Sequence, residues 1–367
     1  MNFDFSDDQK LLQQTAREYL DEHAPLSVCR QVLESPKLYS EKLWKGAAEL
    51  GWLGAAIPET YGGAGLGRLD LAVIAGEVGR ALAPVPMLSS VYVATEAILL
   101  YGSEAQKRKY LPKLACGEAI GCLALAERPG QNGAEGVEAA FRKGALNGTK
   151  APVLDGEAAT FAVVVARGER GSTLALAELD GVKRTALRSI DPSRPLARLD
   201  FDGTPAEALG EEGRGEAMTE HLLDRAAVLL AFEQLGGAER AFEITKDYTM
   251  HRYAFGRPIA SYQALKHRMA DHWCEIELGR SNAYYGAWAL STDSAELPVA
   301  ACLARVSAND AFDRTAVDMI QMHGGVGYTW EYDCHLFYRR AKLTSVILGT
   351  TAAWRERLLT QLEKRAA

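Results

Sequence analysis

The sequence predicts an α+β chain in three parts. These are a helical N-terminal domain over residues 1–118, a middle β domain (barrel or sandwich) over 119–210, and a C-terminal helical domain, a four-helix bundle, over 211–367. Three observations predict it. Residues 6–118 carry a helix cap and apolar residues at helical spacing, whereas 119–205 break into short β-branched runs between turn signals. From about residue 214 long amphipathic stretches return. With 48% hydrophobic residues in 367, the chain can bury a large core.

The elements follow in order. Ser6 can cap a first helix, with Asp7 and Asp8 favourable in its first turn and Leu11, Leu12, Ala16, Tyr19 and Leu20 along one face. Pro25, the segment Ile57-Pro58-Glu59-Thr60-Tyr61-Gly62-Gly63, and Pro84 with Pro86 punctuate the helical region. In the middle part, Phe161-Ala162-Val163-Val164-Val165 and Leu174-Ala175-Leu176 read as strands. Asn147-Gly148, Asp155-Gly156, Gly168 and Asp180-Gly181 read as the turns between strands. Residues 218–252 form one long helix, Arg257-Pro258 breaks it, and a second starts near 261. A third runs through 298–323, and a helix rich in Leu, Arg and Glu closes the chain.

The net charge of −7 and a pI near 5.6 argue against a nucleic-acid or anionic-membrane partner. Six scattered cysteines with no Cys-x-x-Cys spacing favour free thiols in a reducing cytoplasm over disulfides or a metal site. The acidic opening, Met1 to Asp8, has no basic or apolar region of a signal peptide, and no apolar run is long enough to insert in a membrane.

The most informative stretch lies near the end: Gln321-Met322-His323-Gly324-Gly325-Val326-Gly327-Tyr328-Thr329, then Tyr338-Arg339-Arg340-Ala341-Lys342, then Leu348-Gly349-Thr350. Paired glycines let a backbone come close to a bulky ligand. The order and spacing of this run resemble the acyl-CoA dehydrogenases. The likeness extends over nearly the whole chain, through Phe5-Ser6-Asp7-Asp8-Gln9, Glu49-Leu50-Gly51-Trp52, Pro58-Glu59-Thr60-Tyr61-Gly62-Gly63, Gly102-Ser103-Glu104-Ala105-Gln106-Lys107 and Arg252-Tyr253-Ala254-Phe255-Gly256-Arg257-Pro258. The resemblance implies the helical–β–helical layout and FAD held across a subunit interface. It also implies desaturation of an acyl-CoA thioester and an electron-transfer flavoprotein as acceptor. Arg252 matches the arginine that pairs with the FAD pyrophosphate, a task that suits a rigid guanidinium. Phe255 matches a ring near the flavin, and Tyr262 and Gln263 match the pair beyond it. Gln321, Gly324 and Gly325 match the contact with the neighbouring protomer's cofactor, and Thr350 matches the threonine after the base position.

Other family features are altered. Where the family has Thr-Glu-Pro-x-x-Gly-Ser-Asp and Trp-Ile-Thr-Asn against the flavin, this chain has Ala126 to Gly133 and Ala151-Pro152-Val153-Leu154-Asp155. Proline replaces the tryptophan and leucine the threonine hydroxyl. The family's base is a glutamate just before the final Gly-Thr, and here that residue is Leu348. A leucine cannot accept a proton, although its backbone N–H can still polarise a thioester carbonyl. Other members carry the base on the long C-terminal-domain helix, and an ungapped match puts Ala226 and Ala227 there. Glu233 lies about 10 Å further along that helix, and Asp224 lies about 200° around it. A two-residue slip would make Asp224 the fallback base. The pattern therefore resembles one chain of the short, paired subunits that form α2β2 assemblies, often for steroid side-chain thioesters. A homo-oligomer with an unusual base, a non-catalytic FAD- or CoA-binding scaffold, and a flavin oxidase on the same fold are the alternatives. No metal is expected: His267 and His272, five residues apart, are read as surface or packing residues, and His323 as a positioned neighbour of the glycines. Lys107-Arg108-Lys109 is read as a solvated face.

Overall fold

The computed structural model describes residues 5–131 and 133–366. The first four residues of the opening read above, and Asn132 of the altered flavin-side segment, lie outside the described residues. The chain has an N-terminal helical domain, a middle β-barrel and a C-terminal helical domain.

The first helix, α1 (Asp7–His23), starts where a capping box predicts. The Ser6 hydroxyl accepts from Gln9 N at 3.2 Å, and Ser6 N donates to Gln9 Oε1 at 3.1 Å. Helices α2 (Leu26–Leu33), α3 (Glu41–Glu49) and α4 (Arg68–Arg80) follow. Next comes a wide, π-type helical segment, Met87–Thr95, with every residue buried. The sequence reading did not separate it from its neighbours, since a wide turn has no distinctive apolar period. Helices α5 (Glu96–Tyr101) and α6 (Glu104–Ala115) complete the domain, α6 with a second capping box at Ser103 and Gln106.

Seven strands follow: β1 (Gly121–Ala124), β2 (Ala140–Arg142), β3 (Ala145–Leu154), β4 (Phe161–Gly168), β5 (Gly171–Glu178), β6 (Lys183–Leu187) and β7 (Leu196–Leu209). They pair in the order β1-β4-β2-β3-β7-β5, with β6 on β7, and β5 pairs back to β4. Strands β4, β2, β3, β7 and β5 thereby close a ring, and β1 and β6 are each attached to it through one neighbour. One expected turn is corrected. Asn147-Gly148 lies inside β3, not between strands, and the β2–β3 hairpin turns at Lys143-Gly144 with φ of +50° and +75°. Asn147 instead accepts from Gly203 N at 2.8 Å across a register shift, and a Cβ on Gly148 would stand 2.8 Å from Ala139. An Asn-Gly pair marks a bulge as readily as a hairpin when a second backbone approaches closely.

The C-terminal part holds α7 (Gly215–His251), a small hairpin of β8 (Tyr253–Ala254) and β9 (Arg257–Pro258), α8 (Gln263–Ser291), α9 (Leu297–His323), α10 (Cys334–Thr344) and α11 (Thr351–Ala366). By compactness the chain divides into two units. One comprises Met1–Arg30, Ala72–Ala83 and Ala227–Ala367, and the other Gln31–Leu71 and Pro84–Ala226. In the first unit α4 and α7 cross so closely that side chains are excluded. A Cβ on Gly79 would lie 1.8 Å from Glu233 O, and one on Gly236 would lie 1.9 Å from Gly76 O. His272 is buried and bonded to Asp318 at 2.8 Å, and His267 is exposed. In the second unit Lys109 is exposed and reaches Glu178 at 2.9 Å. Among the described residues, no helix is long and apolar enough to cross a membrane, and no cluster of metal-ligating side chains occurs.

Candidate functional site

The long helix α7 ends at His251, and the next seven residues form an exposed arm. Phe255 and Gly256 both have positive φ, +53° and +82°, as a two-residue hairpin turn between β8 and β9 requires. Phe255 therefore stands at the tip, 97% exposed, with Tyr253 at 64% beside it. Large apolar side chains held this far into water on a tight turn mark a contact surface. The hairpin is braced at its base. Ile259 N donates to Arg252 O at 2.8 Å, the Tyr262 hydroxyl donates to Ala254 O at 3.0 Å, and the Arg257 guanidinium lies 4.0 Å over the Tyr262 ring.

Arg252 is exposed, and its guanidinium bonds to nothing among the described residues. Tyr262 is the N-cap of α8 and gives it no side-chain hydrogen bond, so the Gln263 and Ala264 N–H groups at the start of a 29-residue helix have no acceptor among the described residues. An unspent guanidinium and an uncapped helix start are each donors suited to phosphate oxygens. A cleft of about 560 Å³ opens next to Arg252, with Tyr248, His251, His323 and Tyr332 on its walls.

Helix α9 leads to the glycine pair. Gln321, Gly324 and Gly325 are exposed, and a Cβ on either glycine would meet nothing within 4 Å. The space that side chains would fill is open for a close approach. His323 behind them is 3% exposed, stacked on Tyr248 at 4.2 Å, with Nδ1 2.7 Å from Met319 O. Burial pushes its pKa below the ordinary value, so the ring is a neutral packing element.

The third piece is the turn after α10. Leu348 has φ +59°, a left-handed conformation that disfavours a branched side chain. Gly349 follows at φ +103°. The Leu348 carbonyl accepts from Trp354 Nε1 at 2.9 Å, while its N–H donates to nothing among the described residues. Thr350 caps α11, its hydroxyl accepting from Ala353 N at 3.3 Å. At the position that the resemblance gives to the base, the backbone N–H is thus unspent among the described residues and the side chain is aliphatic.

The carboxylates weighed as substitutes are both buried, Asp224 and Glu233 each at 2% exposure. Glu233 faces Arg340 at 3.9 Å. The altered flavin-side segment is tied to itself. Lys150, fully buried in β3, donates to Glu127 Oε1 at 2.8 Å and to Leu125 O at 3.0 Å. Glu127 also accepts from the N–H groups of Glu138 and Ala139, both at 2.8 Å. Burial works against its charge, but Lys150 and these two donors outweigh that and hold its carboxyl below the usual range. Pro152 and Leu154 offer no side-chain donor or acceptor here. The donor set therefore fits the adenosine-diphosphate end of FAD, and the flavin end lacks the side-chain hydroxyl.

Sequence reasoning missed two residues of this site. Arg305 and Trp354 hold the Leu348 turn, and Arg305 reaches it from 42 positions away, a separation that leaves no local signal.

The pattern of the acyl-CoA dehydrogenase N-terminal domain matches residues 6–118, and that of the acyl-CoA dehydrogenase C-terminal domain matches 213–362. The chain is 32% identical to the acyl-CoA dehydrogenase IpdE2 of Mycobacterium tuberculosis over 343 residues, 93% of each protein. Among solved structures, a variant of the Tcur3481-Tcur3483 steroid ACAD superposes with a TM-score of 0.90 at 32% identity, covering 98% of this chain and 99% of that one. The ChsE4-ChsE5 complex from Mycobacterium tuberculosis superposes with a TM-score of 0.89 at 26% identity, covering 99% of each chain.

Proposed function

The chain belongs to the acyl-CoA dehydrogenase family, and we propose that it works as the base-lacking subunit of a hetero-oligomer that encloses FAD and a CoA thioester between two different chains. Its activity is acyl-CoA dehydrogenation, an oxidation of a CH–CH bond. When bound, FAD supplies the acceptor for the hydride that leaves the β-carbon.

Under this reading, Arg252 and the open start of α8 take the pyrophosphate, while Gln321 and the backbone of Gly324-Gly325 take the adenosine side. Phe255 and Tyr253 lose their exposure against the second chain. The Leu348 N–H donates to the thioester oxygen, on which negative charge grows as the α-proton departs. That proton goes to a carboxylate on the partner, because Leu348 has no group to receive it. The product is the α,β-unsaturated thioester. An electron-transfer flavoprotein then takes up the two electrons.

The observation that carries the reading is the Leu348 turn, which retains the donor and omits the base. Two of the similar solved structures support the paired arrangement by analogy, since one bears the double name Tcur3481-Tcur3483 steroid ACAD and another is named as the ChsE4-ChsE5 complex. A steroid side-chain thioester is the substrate class proposed on the same ground.

The test is purification of the chain alone and together with a base-carrying family member. Co-purification should raise the FAD content and bring dehydrogenation with an artificial electron acceptor. Full activity of the lone chain would overturn the partner reading. If that activity then vanished in Asp224→Asn, Asp224 would be the base of a homo-oligomer.

A further inference from the structure

Arg305, on α9, is 1% exposed and has no carboxylate partner among the described residues. A buried cation without a counter-ion is costly. All three of its bonded acceptors are neutral: Nη1 donates to Gln234 Oε1 at 2.5 Å, and Nη2 donates to Thr344 O at 2.5 Å and to Ile347 O at 2.8 Å. The Thr344 carbonyl ends α10, where a positive charge is favourable. The Ile347 carbonyl is different in kind. It belongs to the same peptide group as the Leu348 N–H, the unspent donor of the site.

We propose that Arg305 is a positioning residue that polarises the Ile347–Leu348 peptide, so that the Leu348 N–H becomes a stronger donor to a developing oxyanion. The reading rests on the assignment of that N–H to the thioester oxygen. A charged donor on a peptide oxygen draws electron density away from its nitrogen, and hydrogen bonds in series strengthen one another. Low-dielectric surroundings preserve the effect, since no carboxylate offsets the charge. The opposite side of the turn is held by Trp354 Nε1 on Leu348 O, and Gln234 ties Arg305 to Asn309 at 2.8 Å, which in turn bonds Thr351. The left-handed Leu348 is thereby gripped on the carbonyls to either side of its N–H, and the N–H itself is left for the ligand. A plain helix-end cap would need only the Thr344 contact.

The experiment is isotope-edited infrared difference spectroscopy on the FAD-loaded complex. The probes are CoA thioesters labelled with ¹³C at the carbonyl, butyryl-CoA and, as a longer chain, octanoyl-CoA. In the wild type the bound carbonyl band should lie below its position in solution. Arg305→Gln should return most of that displacement and lower kcat about tenfold with little change in KM, less than the about 10²–10³-fold cost of removing an oxyanion donor outright. Arg305→Lys should restore the displacement at neutral pH and lose it as the pH is raised, because a buried lysine gives up its proton early. A band in Arg305→Gln as displaced as in the wild type would overturn the proposal. Should that variant not fold, Arg305→Lys decides alone, and a band that stays displaced at alkaline pH overturns it. If neither thioester shows a displaced band in the wild type, the assignment of the Leu348 N–H fails first, and the role of Arg305 falls with it.

Discussion

The arm around Arg252 and the segment around Glu127 show opposite treatments of polar groups. In the arm, the guanidinium of Arg252, the first N–H groups of α8 and the exposed rings of Phe255 and Tyr253 are left unsatisfied by the chain that carries them. At Glu127, the buried ion pair is spent internally: Lys150 on Glu127 and Leu125 O, and the carboxylate on two backbone N–H groups. A region built to meet something else keeps its donors idle, because a bond satisfied within the chain contributes only about 1 kcal/mol and blocks a ligand. A region that has stopped meeting a ligand gains by closing on itself. On the function proposed above, the retained half of the cofactor contacts is the arm and the lost half is in the β domain.

The largest effect should come from returning what the Leu348 turn omits. The backbone there is still left-handed and its N–H still unspent, so Leu348→Glu should give the lone chain, supplied with FAD, about 10²–10⁴-fold more dehydrogenation. Steady-state rates with an artificial acceptor check it. No gain, in a variant shown to bind a thioester, would mean that the turn is no longer part of a site.

Next is the Glu127 clasp. Glu127→Gln strips the counter-ion from a fully buried lysine and should cost about 3–5 kcal/mol in denaturant unfolding. The same carboxyl sets an acid limb. Its folded pKa is below its unfolded value, so its contribution is complete above the ordinary carboxylate range and is lost as the pH falls through the folded value. Stability measured from pH 6 down to pH 3 should therefore fall less steeply in Glu127→Gln than in the wild type. An unchanged slope would show that the clasp is not charged.

Smaller, and confined to binding, is Arg252→Met. Loss of a charged donor to phosphate should weaken FAD binding by about 1.5–3 kcal/mol, and the melting temperature of the apoprotein should stay within error because the guanidinium bonds to nothing among the described residues. Titration calorimetry and a thermal melt separate the two. A loss of apoprotein stability would move Arg252 from the ligand side of the comparison to the structural side.

Much of this was legible in the sequence. Periodicity, proline breaks and the Ser6 cap located the helices, because these signals act within a few residues. The family resemblance singled out Arg252, Gln263 and the glycine pair, and the structure leaves all of them exposed. Barrel closure was not legible, since the β5–β4 and β2–β4 pairings are settled by packing and not by either strand alone. The Asn147-Gly148 bulge read as a turn for the same reason: the residue opposite decides which it becomes. Arg305 looked like any helical arginine, and only the fold reveals that its guanidinium ends on the peptide of Leu348.

The claim at the centre is that two unlike chains share one site, with donors here and the base on the partner. The most direct measurement is FAD stoichiometry and turnover in a mixing series of this chain with a base-carrying partner at fixed total protein. The account predicts that both rise to a maximum at equal amounts of the two chains and that Arg252→Met on this chain lowers both. Full FAD loading and full turnover in this chain alone, unchanged by the partner, would contradict it.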